Sequence, residues 1–209
     1  MIFKVDHISY SCNSKSYKKL FADYSVSFEE TSLKNVDCKR EFFKYPRESH
    51  DLIMLKKQGE VPVELTVYEG KLLTETNTKL NGSIVNITTS SPRKLIDFYR
   101  LLGFEELETQ NNIITLKMKA PLDDFTIFLI INESKEAKQI YLDSQGFSSI
   151  AFFVDDIFFE KEKIQKAGFF CSDINTVNVD SKNLFVCFAR CVGEIVELIA
   201  LNRNKESLI

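Results

Sequence analysis

Residues 84–89, IVNITT, and 149–154, SIAFFV, each run for six positions with an apolar bias and a two-residue period. Val85, Ile87 and Thr89 alternate with Ile84, Asn86 and Thr88, and Ile150, Phe152 and Val154 alternate with Ser149, Ala151 and Phe153. That is the pattern of a strand with one packed face. A polar break follows each run, Ser91-Pro92 in one and Asp155-Asp156 in the other, with residue types that cap a helix and open its first turn. Helix-length segments then lead to Gly103 and Gly168, suited to the left-handed position that ends a helix. The interval is 19 residues both from Ile84 to Gly103 and from Ser149 to Gly168. The spacing predicts helices over 91–102 and 156–167 in two copies of one unit.

A looser third copy stands at the start of the chain. HISYSCNSKSYKKLFAD, residues 7–23, has the strand, a polar break at Asn13-Ser14 and a helical segment over 14–22, with Phe21 lying 14 residues after His7 as Phe98 lies after Ile84. No glycine closes it. Strand-like runs follow every copy: SVSFEE, HDLIMLKK and VPVELTVYE; EELE, NIITLKMK and FTIFLIIN; LFVCFAR and EIVELIAL. One strand, one helix and about three strands form the recurring unit, an α+β architecture with units at about 1–70, 82–132 and 146–202. The polar segments 69–82 and 132–146 read as connectors.

Composition narrows the function classes. The chain has 209 residues, 27 Lys and Arg against 30 Asp and Glu, and a net charge of -3. The basic residues are scattered, so nucleic acid is not an expected partner. The N-terminal apolar run reaches Asp6 and His7 too soon for a secretory segment, and no run of about 18 apolar residues exists, so a membrane partner is not expected and the expected location is cytoplasmic. Five cysteines without a CxxC pair suggest buried thiols, neither a disulfide framework nor a structural zinc site. Phosphate loops, dinucleotide glycine patterns, GxSxG elbows and HExxH helices are absent.

A βαβββ unit with FYRLLGF after its first strand, followed by SIAFFVDDI, a helix-ending glycine and the last strand GEIVELIAL, resembles the vicinal oxygen chelate superfamily: glyoxalase I, bleomycin resistance proteins and extradiol dioxygenases. Residues 82–202 carry the resemblance as two units forming a glyoxalase-like domain. Residues 1–70 carry it as a divergent unit through DHISY and VPVELTVYEG. The resemblance implies curled mixed sheets that pair into a cup holding a ligand and, in the enzymes, a divalent metal ion. It places candidate ligands at the start of the first strand and in the last strand of each unit. Those positions are His7 and Glu64 in the first unit, Ile84 and Phe128 in the second, and Ser149 and Glu197 in the third.

The pairing of units decides the chemistry these positions offer. If the second and third pair, Ile84, Phe128, Ser149, Phe153 and Glu197 line an apolar, metal-free cup with one carboxylate. If the first and third pair, His7, Glu64 and Glu197 form a one-His, two-carboxylate set for manganese, iron, nickel or zinc, with Ser149 beside it. Three units leave one unpaired, so a homodimer is expected.

Blander roles compete with each assignment. A lone strand-start histidine is more often a structural residue than a ligand. Asp155-Asp156 is better read as a helix cap than as a catalytic pair. His50 is assigned no role. Glu64 and Glu197, each within a VEL triplet, resist dismissal, because a charge normally avoids such a partly buried strand position. Two functions follow. The first is a small-molecule-binding protein of the bleomycin resistance type, with its ligand held in an apolar cup beside Glu197. The alternative is a metal-dependent lyase, isomerase or dioxygenase using His7, Glu64 and Glu197. No catalytic residue is assigned.

Overall fold

The computed structural model describes residues 1–73, 76 and 79–202. The first unit comprises β1 (Ile2–Cys12), β2 (Ser25–Lys34), β3 (Ser49–Lys56) and β4 (Val63–Val67), with 3-10 helices at Lys15–Phe21 and Asp37–Phe42. A short β5 (Lys79–Asn81) precedes the second unit: β6 (Ile84–Thr89), α1 (Pro92–Leu101), β7 (Glu105–Gln110), β8 (Ile113–Met118) and β9 (Ile127–Glu133). The third contains β10 (Gly146–Val154), α2 (Ile157–Lys166), β11 (Phe170–Cys171), β12 (Asn175–Val179), β13 (Lys182–Cys191) and β14 (Glu194–Leu201).

Both α-helices form where the sequence places them. Asp156 caps α2, its carboxylate accepting from the backbone N–H of Phe158 and Phe159 at 2.9 and 3.0 Å. Gly103 and Gly168 take φ of +91° and +83° just past the helix ends, in equivalent positions. The segment predicted as a helix over 14–22 forms a 3-10 helix with no buried residue; Tyr17 and Phe21 pack against Tyr10, too narrow a contact to hold a longer α-helix.

Two sheets organise the chain. The larger runs β11-β13-β14-β10-β1-β4-β3-β2, with β12 added to β13, and the smaller runs β5-β6-β9-β8-β7. Its central seam is the antiparallel pair of β1 with β10, the first strands of the first and third units. On either side of that seam β1 runs parallel to β4, and β10 runs parallel to β14. Residues 82–202, expected to build one cup, are therefore divided between two sheets, and the second unit stands apart with its own. The second unit is joined to the others by packing. Phe98 of α1 is fully buried with its ring 5.0 Å from that of Phe169, and one apolar cluster continues from Val85, Ile87 and Leu129 to Phe152 and Leu198.

The expected connector 132–146 is only partly a surface loop. Ile140, Leu142, Asp143 and Ser144 are buried. Leu142 donates its N–H to the Phe42 carbonyl at 2.9 Å, and its own carbonyl accepts from the Ser11 hydroxyl. The Asp143 carboxylate accepts from the backbone N–H of Lys44 at 2.8 Å and of Tyr45 at 3.2 Å. Gly193, at φ +96°, lets the β13–β14 turn approach this belt: a Cβ there would stand 3.2 Å from Gln139 Cα. Of the other connector, 69–82, residues 74, 75, 77 and 78 lie outside the described residues. All five cysteines are buried free thiols.

Candidate functional site

Strand register brings together residues far apart in sequence. His7 of β1 stands opposite Ala151 of β10, and Ala151 stands beside Glu197 of β14. Ser9, two residues after His7 and so on the same face, stands beside Glu64 of β4. Hence His7, Glu64 and Glu197 project from one concave face astride the seam. His7 Nε2 lies 3.5 Å from Glu64 Oε2 and 3.8 Å from Glu197 Oε2.

The surroundings hold these groups in place. Asp6 lies 3.0 Å from His7 Nδ1, which fixes the ring and turns Nε2 toward the two carboxylates. Nε2 is buried without a hydrogen-bond partner. Ser9 Oγ and Thr66 Oγ1 both donate to Glu64 Oε1, at 3.3 and 3.0 Å, leaving Oε2 for the histidine side. The charge balance is unusual for a strand face. Burial opposes a charge on His7, but Glu64, then Asp6 and Glu197, outweigh it and raise the imidazole to about 9. Burial likewise works to raise Asp6, but the His7 hydrogen bond and charge, with Lys4, hold that carboxyl below its ordinary range. Glu197 rises to about 7, chiefly through burial, with Lys39 and His7 pulling it down and Glu64 pushing it up. In this state a proton on His7 neutralises part of the carboxylate charge, a role a cation would also fill.

Two cavities meet at this centre. One, of about 320 Å³, is walled by Phe28, Leu52, Met54, Phe153 and Ile199 among others, with His7, Glu64 and Glu197 at its base. The second, of about 270 Å³, lies toward the 3-10 helix 37–42. Leu52, Glu64, Val177, Val179, Val186 and Glu197 line both. The larger is mostly apolar, as suits a small organic molecule.

The sequence-predicted residues thus separate into two groups. His7, Glu64, Glu197 and Phe153 share one cavity. Ser149 lies on the same strand face as Ala151 but deeper, buried, with its hydroxyl unpartnered. Ile84 and Phe128 stand side by side in the smaller sheet and border neither cavity. They lie in a different cup-forming surface because β6 pairs with β5 and β9, and not with β10. Asp6, Ser9, Thr66 and Ala151 are site residues that sequence reasoning passed over. Thr66 carried a signal, being two residues from Glu64 on one strand, as did Asp6, next to His7.

One imidazole and two carboxylates suit a divalent ion in donor type, but their spacing is wider than a metal cluster's. Ligand atoms around an ion with 2.0–2.2 Å bonds stand about 3.0–3.5 Å apart, a range whose upper end the 3.5 Å separation from Glu64 reaches and which the 3.8 Å separation from Glu197 exceeds. Among the described residues no group of three or more His, Cys, Asp or Glu side chains is arranged to hold a metal ion. The unpartnered Nε2, backed by a carboxylate on Nδ1 and facing two more carboxylates, fits a first-row divalent cation. Also among the described residues, no helix is long and apolar enough to cross a membrane.

The family described as the glyoxalase/bleomycin resistance protein/dioxygenase superfamily matches residues 83–188, just over half the chain. None of the curated proteins matches. Among solved structures, a protein of Bacillus subtilis subsp. subtilis str. 168 with a provisional dioxygenase assignment aligns over 97% of this chain and 64% of its own, at 11% identity and a TM-score of 0.45. The chain therefore spans less than two thirds of that protein's length. Glyoxalase I from Zea mays aligns over 96% of this chain and 68% of its own, at 14% identity and a TM-score of 0.43. An integron cassette protein from the mobile metagenome of the Halifax Harbour sewage outfall aligns over 56% of this chain and 96% of its own, at 19% identity and a TM-score of 0.43.

Proposed function

The chain belongs to the glyoxalase/bleomycin resistance protein/dioxygenase superfamily, a group of small-molecule-binding proteins and metalloenzymes, and from that premise we propose that it is a divalent-metal-dependent enzyme whose ligands are His7, Glu64 and Glu197. The observation that carries this reading is the buried, unpartnered His7 Nε2, held by Asp6 and facing both carboxylates. An ion bound there supplies Lewis acidity, polarising substrate oxygens. The protein's own groups do the rest. Asp6 keeps the ring oriented, while Ser9 and Thr66 fix Glu64. Glu197, which lines the cavity beside His7, is the carboxylate placed to move a proton. Phe28, Leu52, Met54 and Phe153 exclude water from an apolar part of the substrate.

Elemental analysis of untagged protein, followed by titration with manganese, iron, nickel and zinc under a thermal shift readout, tests the assignment. A stoichiometric ion with a metal-dependent rise in melting temperature is expected, lost in His7→Ala. No rise with any of the four ions refutes it. The second reading, a metal-free binding protein, is favoured by the open spacing of the three side chains. It requires that apolar ligands bind wild type and His7→Ala alike. The expected homodimer is retained within this proposal, because the second unit shares a sheet with neither neighbour. Sedimentation at high micromolar concentration should give twice the chain mass, and a clean monomer rules the dimer out.

A further inference from the structure

The smaller cavity has a chemistry of its own. His50 enters it from β3, two residues before Leu52, which lines both chambers. The imidazole is 6% exposed and its Nδ1 is buried with no hydrogen-bond partner. Its ring rests against Tyr68, with centroids 5.7 Å apart, so the residue is held and not swinging in solvent. Lys39 lines the same chamber from the 3-10 helix 37–42, its ammonium 5.6 Å from the centre of the Phe188 ring. Lys34 stands at the rim. Among the described residues neither lysine has an ion-pair partner. The charge of Lys39 reaches both Glu197 and His50.

We infer that this second chamber is an anion subsite, in which Lys39 and the Nδ1–H of His50 hold the carboxylate end of a ligand whose middle presents an oxygen to the His7–Glu64–Glu197 centre and whose apolar end fills the larger chamber. The inference rests on the metal reading in one respect. With a divalent cation balancing Glu64 and Glu197, the charges left unanswered along the cup are Lys34 and Lys39, both at this end. A neutral imidazole suits the role, since it donates one hydrogen bond to a carboxylate and needs no counter-charge when the chamber is empty. Burial is the main cause that keeps His50 uncharged, with Lys39 adding to it. The phenyl side chains of Phe28 and Phe153 line the opposite chamber, so the ligand class is an aryl or alkyl oxo-acid with its carboxylate remote from the reacting oxygen.

The test uses 3-benzoylpropanoate, in which phenyl ring, ketone and carboxylate lie in that order along one chain, against butyrophenone, which keeps the ring and ketone and lacks the acid. Both are titrated calorimetrically into manganese-loaded full-length protein. The carboxylate probe is expected to bind at least tenfold tighter. Lys39→Gln and His50→Phe should each remove most of that gap while leaving butyrophenone affinity unchanged. The half-buried Lys39 position keeps the test open if His50→Phe folds poorly. Equal binding of the two probes, a gap that survives both substitutions, or no binding of 3-benzoylpropanoate at millimolar concentration overturns the inference. Failure of manganese to bind wild type overturns the metal reading instead, and the gap is then measured on metal-free protein, where its presence supports the anion subsite and its absence refutes it.

Discussion

Asp143 offers a direct test of how the first and third units are clamped. Its side chain is fully buried and it accepts hydrogen bonds from two successive backbone N–H groups, Lys44 at 2.8 Å and Tyr45 at 3.2 Å. Hydrogen bonds to a charged acceptor contribute roughly 1.5–3 kcal/mol each, so loss of both sets an upper limit near 6 kcal/mol. Lys44 and Tyr45 are exposed residues, so water can replace part of what is lost. Asp143→Ala is therefore expected to cost about 2–4 kcal/mol. Asp143→Asn keeps one acceptor oxygen but sets an amide donor against the other N–H, and should fall between the alanine variant and wild type. In urea, with a slope of about 2–3 kcal/mol/M for a chain this size, the alanine variant should lower the midpoint by about 0.7–2 M without changing the slope. Asp173→Ala, at a side chain 97% exposed in a surface ion pair with Lys161, serves as the control and should stay within about 0.5 kcal/mol of wild type. Equality of Asp143→Ala with that control would refute the claim that the buried belt holds the units together.

Three further outcomes are expected. Gly193→Ala should cost more than Gly168→Ala: both sit at positive φ, which costs about 1 kcal/mol for alanine, but only at Gly193 does the new Cβ also meet Gln139 Cα, at 3.2 Å. Thermal denaturation of the two variants checks the order. Phe98→Ala empties a fully buried position between the second and third units and should cost about 3–5 kcal/mol, measurable by chemical denaturation. His50, depressed to about 2 by burial and by Lys39, stays neutral in the fold while the unfolded chain takes up a proton below about 6.5, so its own contribution should fall as pH drops, by up to about 1.4 kcal/mol per unit. It is opposed between about 7 and 4.5 by Glu197, whose raised carboxyl is protonated first in the fold, and the measurement is the difference between wild type and a His50 variant. His50→Phe should flatten that slope between pH 6 and 5. His7 does not mask it, because a raised imidazole contributes fully below 6.5 and loses its contribution only as pH rises through about 9.

The repeated interval from strand to glycine was readable because it is local: alternation, a cap and a left-handed residue all act within 20 positions. Which first strands share a seam was not, since β1, β6 and β10 carry similar alternation and nothing in any of them names its neighbour. Adjacency in sequence suggested β6 with β10, and the family match to residues 83–188 spans that same adjacent pair, yet the seam joins β1 to β10. The trio of His7, Glu64 and Glu197 could be named only on condition of that pairing. Elsewhere the pattern misled for definite reasons. Ile140 and Leu142 are two buried residues in a polar run, too few to register as a strand, although Leu142 donates its N–H to Phe42 of the first unit and Ile140 donates to Gly193 of the third. β5 and β12 are short and half-exposed, held by their partners and not by any apolar period of their own. Lys39 and His50 gave no signal, because a lysine between two strands and a histidine at a strand start are ordinary until a chamber is seen between them.

The seam also sets a timetable for synthesis. Glu64 and Glu197 are 133 residues apart, and His7 lies farther still from its carboxylate partner on β14. As the chain leaves the ribosome, β1 and β4 can pair early, but the outer edge of β1 has no strand to receive until residue 146 and beyond emerge. The whole second unit is made during that wait and can complete its own sheet without competing for β1, because β5 occupies the edge that β6 would otherwise offer. A nascent chain stalled before β10 would carry a finished middle unit and an exposed N-terminal edge, open to β1 of a neighbouring nascent chain. Translation speed across residues 68–154 therefore sets how long that edge stays open.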